Sequence, residues 1–62
     1  MTKHKIQIIV YRYKSEIIVL SVVDTLEQVS EISRILYKDD NTMKVEVYDS
    51  KGQLVEEFKS PF

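Results

Sequence analysis

The strongest signal in this sequence is a pair of adjacent strand-like runs, residues 6–13 and 17–23, which are rich in isoleucine, valine and tyrosine. β-Branched and aromatic side chains favour extended backbone, because branching at Cβ restricts χ1 and suits a pleated surface. Seven isoleucines and eight valines stand against one glycine, one proline and no alanine in the 62-residue chain. The sequence therefore predicts a mostly extended chain that begins with a β-hairpin.

The register of this hairpin decides which face is buried, since a shift of one residue moves every side chain to the opposite face. A three-residue loop at 13–15 places Arg12 opposite Glu16, whose charges attract, whereas a two-residue loop would mix polar residues into both faces. With the longer loop, three further pairs are entirely apolar: Ile6 with Val22, Ile8 with Leu20, and Val10 with Ile18. We expect these even-numbered residues to form the core.

A helix is predicted after the hairpin. Asp24, Thr25, Leu26 and Glu27 have the spacing of a capping box with Asp24 as the N-cap, so the helix should span about residues 25–38. Apolar side chains then recur at helical spacing on one face. This apolar stripe consists of Leu26, Val29, Ile32 and Leu36. The Asp-Asp-Asn run at 39–41 ends the helix, because these side chains compete for backbone hydrogen bonds.

The second half of the chain predicts another hairpin. Residues 42–48 alternate between apolar and polar, with Met43, Val45 and Val47 expected on the buried face. A turn at 49–52 ends at Gly52, and pairing Tyr48 with Gln53 would set Val47 opposite Leu54 and Met43 opposite Phe58. The last strand then covers 53–59, while the first hairpin has strands at 4–13 and 16–23.

The element order predicts the fold class. Strand, strand, helix, strand, strand is expected to give a small single α+β domain, β-β-α-β-β, spanning residues 1–62. The four strands would form one mainly antiparallel sheet with the helix packed on one face. A chain of this length supports only one thin core.

The sequence offers little chemistry. There is no cysteine, and the single histidine, His4, lies between two lysines with no carboxylate near it in the sequence, so no nucleophile with a positioned base is identifiable. The acidic clusters lack the spacing of a calcium loop, and one glycine excludes glycine-rich phosphate loops. We therefore expect no enzyme activity, no metal, no cofactor and no small-molecule substrate. The longest apolar runs have four residues, so we expect no membrane span.

A second apolar face is left over on the first hairpin once the even-numbered residues face the helix. One helix cannot cover both faces of a sheet, and exposed apolar and aromatic patches often mark protein interfaces. The candidate contact residues are Ile9, Tyr11, Tyr13, Ile17 and Val19. The predicted partner is the protein itself, as a homodimer, or a host protein. Two alternatives would leave no interface: strong curling of the sheet, or a C-terminal tail with Phe62 folded over this face.

Nucleic-acid binding is the alternative function. Residues 1–15 carry four basic side chains and no acid, and the outer face of the first strand carries both cations and aromatics. The residues that would grip a single strand by stacking and phosphate contacts are Lys3, Lys5, Tyr11 and Tyr13. A net charge of −1 argues against this reading, because nucleic-acid modules are usually basic.

Composition also bears on the source of the chain. Many isoleucines and lysines with no alanine are typical of an AT-rich gene, which favours a low-GC bacterium or one of its phages. The lack of cysteine fits a reducing, cytoplasmic setting. By analogy alone, we expect a small regulatory or phage-encoded inhibitor protein.

Overall fold

The computed structural model describes residues 2–59, which form one antiparallel sheet with a single helix on one face. The elements are β1 (His4–Arg12), a 3-10 turn (Tyr13–Ser15), β2 (Ile17–Asp24), α1 (Leu26–Tyr37), β3 (Thr42–Tyr48) and β4 (Leu54–Lys59). The strand order is β2-β1-β3-β4, and every neighbouring pair is antiparallel. The α+β class and the four-stranded sheet predicted from the sequence are confirmed.

The first hairpin has the predicted register. Ile6 pairs with Val22, Ile8 with Leu20, and Val10 with Ile18. The loop is closed by the Arg12 N–H, which donates to the Glu16 carbonyl oxygen at 2.8 Å, and the Arg12 Nε lies 3.8 Å from the Glu16 carboxylate. The predicted three-residue loop is therefore correct, with its charged pair at the mouth.

The predicted register of the second hairpin is wrong. Val47 pairs with Glu56 instead of Leu54, and Phe58 pairs with Val45 instead of Met43. The cause is Asp49, whose carboxylate accepts from the N–H groups of Lys51 at 2.9 Å and Gln53 at 3.0 Å. These bonds set Asp49 opposite Gln53, and an irregularity between Val47 and Tyr48 shifts the ladder once more. Relative to the predicted register, the pairing is shifted by an even number of residues, so each side chain keeps its face and Phe58 still faces the helix.

Met43 is exposed, although the alternation in β3 predicted it on the buried face. The pairing between β1 and β3 passes from Tyr11 with Lys44 to Arg12 with Thr42, so the ladder omits Met43. Thr42 is buried instead. A bulge of this kind re-aims side chains at the end of a strand, which simple alternation does not predict.

The helix begins one residue later than predicted. Thr25 is the N-cap, and its hydroxyl accepts from the Gln28 N–H at 3.2 Å, while the Asp24 carboxylate accepts from the Thr25 N–H at 2.8 Å. Leu26, expected in the buried stripe, is exposed. Ser33 is fully buried in the same face, and its hydroxyl donates to the Val29 carbonyl oxygen at 2.8 Å.

The core lies between the helix and the central strands. Its fully buried members are Ile6, Ile8, Val10, Val29, Val45 and Val47. The rings of Tyr37 and Phe58 close one side, with centroids 5.9 Å apart. Because α1 packs most closely on β3 and least on β2, Leu20 on β2 remains 37% exposed even though it faces the helix side.

Candidate functional site

The outer face of the first hairpin is an exposed apolar surface. Ile9 pairs with Val19, and Tyr11 pairs with Ile17, so these side chains lie side by side on the face away from the helix. Ile17, Val19 and Val23 are 57%, 56% and 63% exposed. We call Ile9, Ile17, Val19 and Val23, with Tyr11 at their border, the outer apolar patch. Patches of this kind on small domains usually take part in binding.

Four of the five predicted contact residues are brought together by this pairing, and Tyr13 is separate. Tyr13 belongs to the turn after β1, where its N–H donates to the Asn41 carbonyl oxygen at 3.0 Å. Its side chain is exposed and lines an open depression of about 270 Å³. The other lining residues are Arg12, Lys14, Glu16 and Asn41. Tyr13 is therefore next to the patch along the chain without being part of its strand pairing.

A hydrogen-bonded polar cluster borders the patch on β3. Glu46 is only 8% exposed, and its carboxylate accepts from the Tyr11 hydroxyl at 2.6 Å and the Tyr48 hydroxyl at 3.1 Å. The Lys44 ammonium lies 3.5 Å from the same carboxylate. The alternation of apolar and polar residues in β3 predicts a solvent-facing Glu46 and gives no sign of this cluster. The cluster forms because β1 and β3 are neighbours in the sheet, and no local sequence pattern indicates that pairing.

The cluster shifts the titration of its members away from neutral pH. The hydrogen bond to Glu46, with burial and the carboxylate charge, raises the pKa of Tyr11 to about 12. The same hydrogen bond lowers the pKa of Glu46, while burial is the main cause that raises the pKa of Tyr48. A general acid or base works best with a pKa near the operating pH. These groups are instead fixed as a carboxylate and two neutral phenols, which suits a structural role.

The four residues considered for nucleic-acid binding do not form one groove. Lys5 lies opposite Val23 near the start of the hairpin, six residues along β1 from Tyr11, or roughly 20 Å at the usual rise per residue. The Tyr11 ring already has the Lys44 ammonium 4.6 Å from its centroid. The carboxyl-bearing pair Glu46 and Glu57 lies on the same outer face. Lys3 precedes β1, and Tyr13 lies in the turn.

The remaining features of the described residues bear on metal binding and on membrane insertion. His4 pairs with Asp24 across the hairpin, so a carboxyl-bearing residue does lie opposite it, which its sequence neighbours did not indicate. Among residues 2–59 no group of three or more histidine, aspartate or glutamate side chains is arranged to hold a metal ion. Over the same range, no helix is both long enough and apolar enough to cross a membrane.

Comparison with known proteins gave no relative: no family model, no curated protein and no solved structure matches this chain.

Proposed function

We propose that this chain is a non-enzymatic protein-interaction module that binds another protein through the outer apolar patch. The observation that carries the proposal is the exposure of Ile17, Val19 and Val23, each above one half, on one face of a small domain. Burying such side chains against a partner removes apolar surface from water, which is the main driving force of protein association.

The border of the patch fits the anatomy of an interface. Interfaces typically combine an apolar centre with a polar rim, and tyrosine is enriched in them. Tyr11 and the Glu46 cluster supply a rigid polar border on the β3 side, since each hydroxyl and the carboxylate already have partners within the chain. The partner surface would therefore be apolar opposite Ile17 and Val19 and uncharged or weakly polar toward Tyr11.

The biological setting belongs to the same proposal. A small regulatory protein or a phage-encoded inhibitor acting in the cytoplasm of a low-GC bacterium fits the composition, with its many isoleucines and lysines and no cysteine. Such proteins act by occupying a surface of a host protein, which requires an exposed patch and no catalytic group.

The proposal is tested by comparing capture by matched variants. Ile17→Lys with Val19→Lys places two cations in the patch at exposed positions, so the fold should survive. Ile35→Lys is the control, because Ile35 is an equally apolar residue, 65% exposed, on the helix at the opposite side of the molecule. We expect a low-GC bacterial lysate to yield a protein that wild type and Ile35→Lys retain and that the patch variant loses. Binding of that purified protein should weaken about tenfold or more.

Two results would contradict the proposal. One is retention of the same proteins by the patch variant and by wild type. The other is retention of single-stranded DNA or RNA by wild type that falls with salt and disappears in Lys3→Ala with Lys5→Ala. That second result would favour the nucleic-acid function.

A further inference from the structure

The two edges of the sheet differ in which backbone groups they leave free. In the first hairpin the Arg12 N–H donates to the Glu16 carbonyl, so even-numbered residues of β2 bond to β1. The N–H and C=O groups of the odd-numbered residues therefore point away from the sheet. Those residues are Ile17, Val19, Ser21 and Val23.

The β2 edge lacks the features that usually prevent strands from pairing with other molecules. Proteins protect edges with charges, proline or bulges. The β4 edge has a bulge in its ladder and carries Glu56, Glu57 and Lys59. In contrast, residues 17–23 contain no charge, proline or glycine, and the β1–β2 ladder runs without a bulge from His4 with Asp24 to Tyr11 with Ile17.

We propose that β2 pairs antiparallel with β2 of a second copy of this chain, joining the two sheets into one eight-stranded sheet. The inference goes beyond the proposed function, because it rests on the free backbone groups of the β2 edge and not on the side chains of the outer apolar patch. A two-fold axis through the midpoint of the paired strands relates the copies, as in most soluble dimers.

One register satisfies every free group of residues 17–23. When Leu20 lies opposite Leu20 of the second copy, Ile17 pairs with Val23 and Val19 pairs with Ser21. All four N–H and all four C=O groups of the odd-numbered residues then have partners on each strand. A shift by two residues in either direction leaves one end of each strand unpaired.

The side chains suit this register on the helix face. Leu20 is 37% exposed because α1 leans toward β3, and the pairing buries it against its own copy. Ile18 and Val22 meet beside it in the same way. Glu16 and Asp24 are brought together at the ends, but each has a partner in its own chain, Arg12 at 3.8 Å and the Thr25 N–H at 2.8 Å.

The assembly stops at two copies. Pairing consumes both β2 edges, and among the described strands the edges left are the charged β4 strands. On the outer face, the pairing also places the patches of the two copies side by side. The partner of the proposed function would then meet two adjoining patches, with Ser21 of each copy beside Val19 of the other, instead of two separate patches.

A charge-exchange experiment at Leu20 tests the register. Leu20→Glu and Leu20→Lys each put two like charges at the two-fold axis, so each variant alone should be monomeric, with dimerisation weakened by about 100-fold or more. An equimolar mixture should form dimers again, because Glu then faces Lys. Sedimentation velocity reports the masses, wild type should be dimeric, and Ile35→Lys should behave like wild type.

Hydrogen exchange gives a residue-level readout of the same pairing. In wild type the amides of Ile17, Val19, Ser21 and Val23 should be protected, and in Leu20→Glu they should exchange at least about tenfold faster than those of Ile18 and Val22. If the Leu20 variants fail to fold, Ser21→Pro replaces them. Its missing N–H is one that the chain itself does not use, so the fold should survive and dimerisation should be lost.

The inference is overturned if wild type is monomeric up to about 1 mM, or if the mixed Leu20 variants stay monomeric while wild type is dimeric. Its failure is separable from that of the proposed function. A monomeric wild type that loses its captured partner on Ile17→Lys with Val19→Lys would refute only the pairing. A dimer whose capture is unaffected by those substitutions would refute only the proposed function.

Discussion

Glu46 shows how a single buried carboxylate organises one half of the outer face. Its two tyrosine partners come from different strands, Tyr11 on β1 and Tyr48 on β3. A buried charge is tolerated only when it is paired and hydrogen-bonded, and here the two phenols and Lys44 meet that requirement. The cluster therefore fixes the orientation of the Tyr11 ring at the border of the outer apolar patch.

Tyr11→Phe should weaken the fold and change its alkaline titration. The folded state raises the pKa of Tyr11 from 10.0 to about 12, so this stabilisation is complete below about pH 10 and is lost as the pH rises toward 12. We expect the variant to unfold at lower urea concentration at pH 8 and to lose less stability than wild type between pH 10 and 12. Tyr13→Phe, at an exposed tyrosine in the turn, is the control. Equal alkaline losses in Tyr11→Phe and wild type would contradict this account.

Acid should destabilise the protein through the other member of the same bond. The folded state lowers the pKa of Glu46 from 4.5, chiefly because Tyr11 donates to it, so its contribution is present above about pH 4.5 and is lost as the pH falls further. Tyr11→Phe removes the main cause of the lowered pKa. The acid loss of stability should therefore be smaller in the variant, measured by urea unfolding between pH 6 and pH 3. A steeper acid loss in Tyr11→Phe would be inconsistent with the bond.

Backbone strain in the first turn should be relievable. Lys14 and Ser15 have φ of +67° and +65°, a region that costs non-glycine residues roughly 1–2 kcal/mol each. Lys14→Gly should stabilise the protein by up to about 1 kcal/mol in urea unfolding, after the entropy cost of glycine. Gly52→Ala is the converse control: Gly52 has φ of +80° with open space around it, so strain alone should cost about 1 kcal/mol. If Lys14→Gly does not stabilise the protein while Gly52→Ala destabilises it, the positive φ of Lys14 would be contradicted.

At the scale of elements, the two strands of the first hairpin contribute unequally to the core. Ile8 is fully buried, whereas its cross-strand partner Leu20 is 37% exposed. Ile8→Ala should cost about 2–5 kcal/mol, and Leu20→Ala about 1–2 kcal/mol, because much of its surface stays in water. Urea unfolding of dilute protein measures both values. Equal losses would mean that α1 covers β2 as fully as it covers β1.

The hairpins also show which registers a sequence can predict. In the first hairpin, three apolar pairs and one opposite-charge pair agree on one alignment, and that alignment is correct. In the second, the alternation identified Val45 and Val47 as buried, but the register depends on the hydrogen bonds that the Asp49 carboxylate makes within the turn. Such bonds follow from local geometry that the residue types alone do not specify.

In the helix too, the apolar period predicted some buried positions, and packing on the sheet determined the others. Its apolar period predicted Val29, Ile32 and Leu36 correctly on the sheet-facing side. Leu26 was wrong and Ser33 was missed, because the helix lies toward β3, with Ser33 in the buried face and Leu26 exposed. The position of a helix over a sheet is a tertiary property, and the strand order that determines it was not predicted.

At the scale of the whole molecule, the outer face has two halves. The β1–β2 half is apolar, as the surplus of odd-numbered apolar residues predicted, and the β3–β4 half carries the Glu46 cluster with Glu57 and Lys59. Two alternatives, curling of the sheet and a covering C-terminal tail, would have left no exposed patch on the first half. Strong curling does not cover the patch, since Val19 and Val23 remain exposed, and Phe62 lies outside the described residues.

The thermal stability of the whole molecule should depend on its concentration. If β2 pairs with a second copy, mass action stabilises the folded dimer, and a hundredfold rise in concentration adds about 1.4 kcal/mol per protomer. For a domain of this size, that corresponds to roughly 5–10 °C in Tm over the range in which the pair persists until unfolding. Leu20→Glu should melt at a temperature independent of concentration, because its copies do not associate. Calorimetry of both proteins over the same range checks this, and a Tm of wild type that does not move with concentration would mean that the domain reaches its full stability as a monomer.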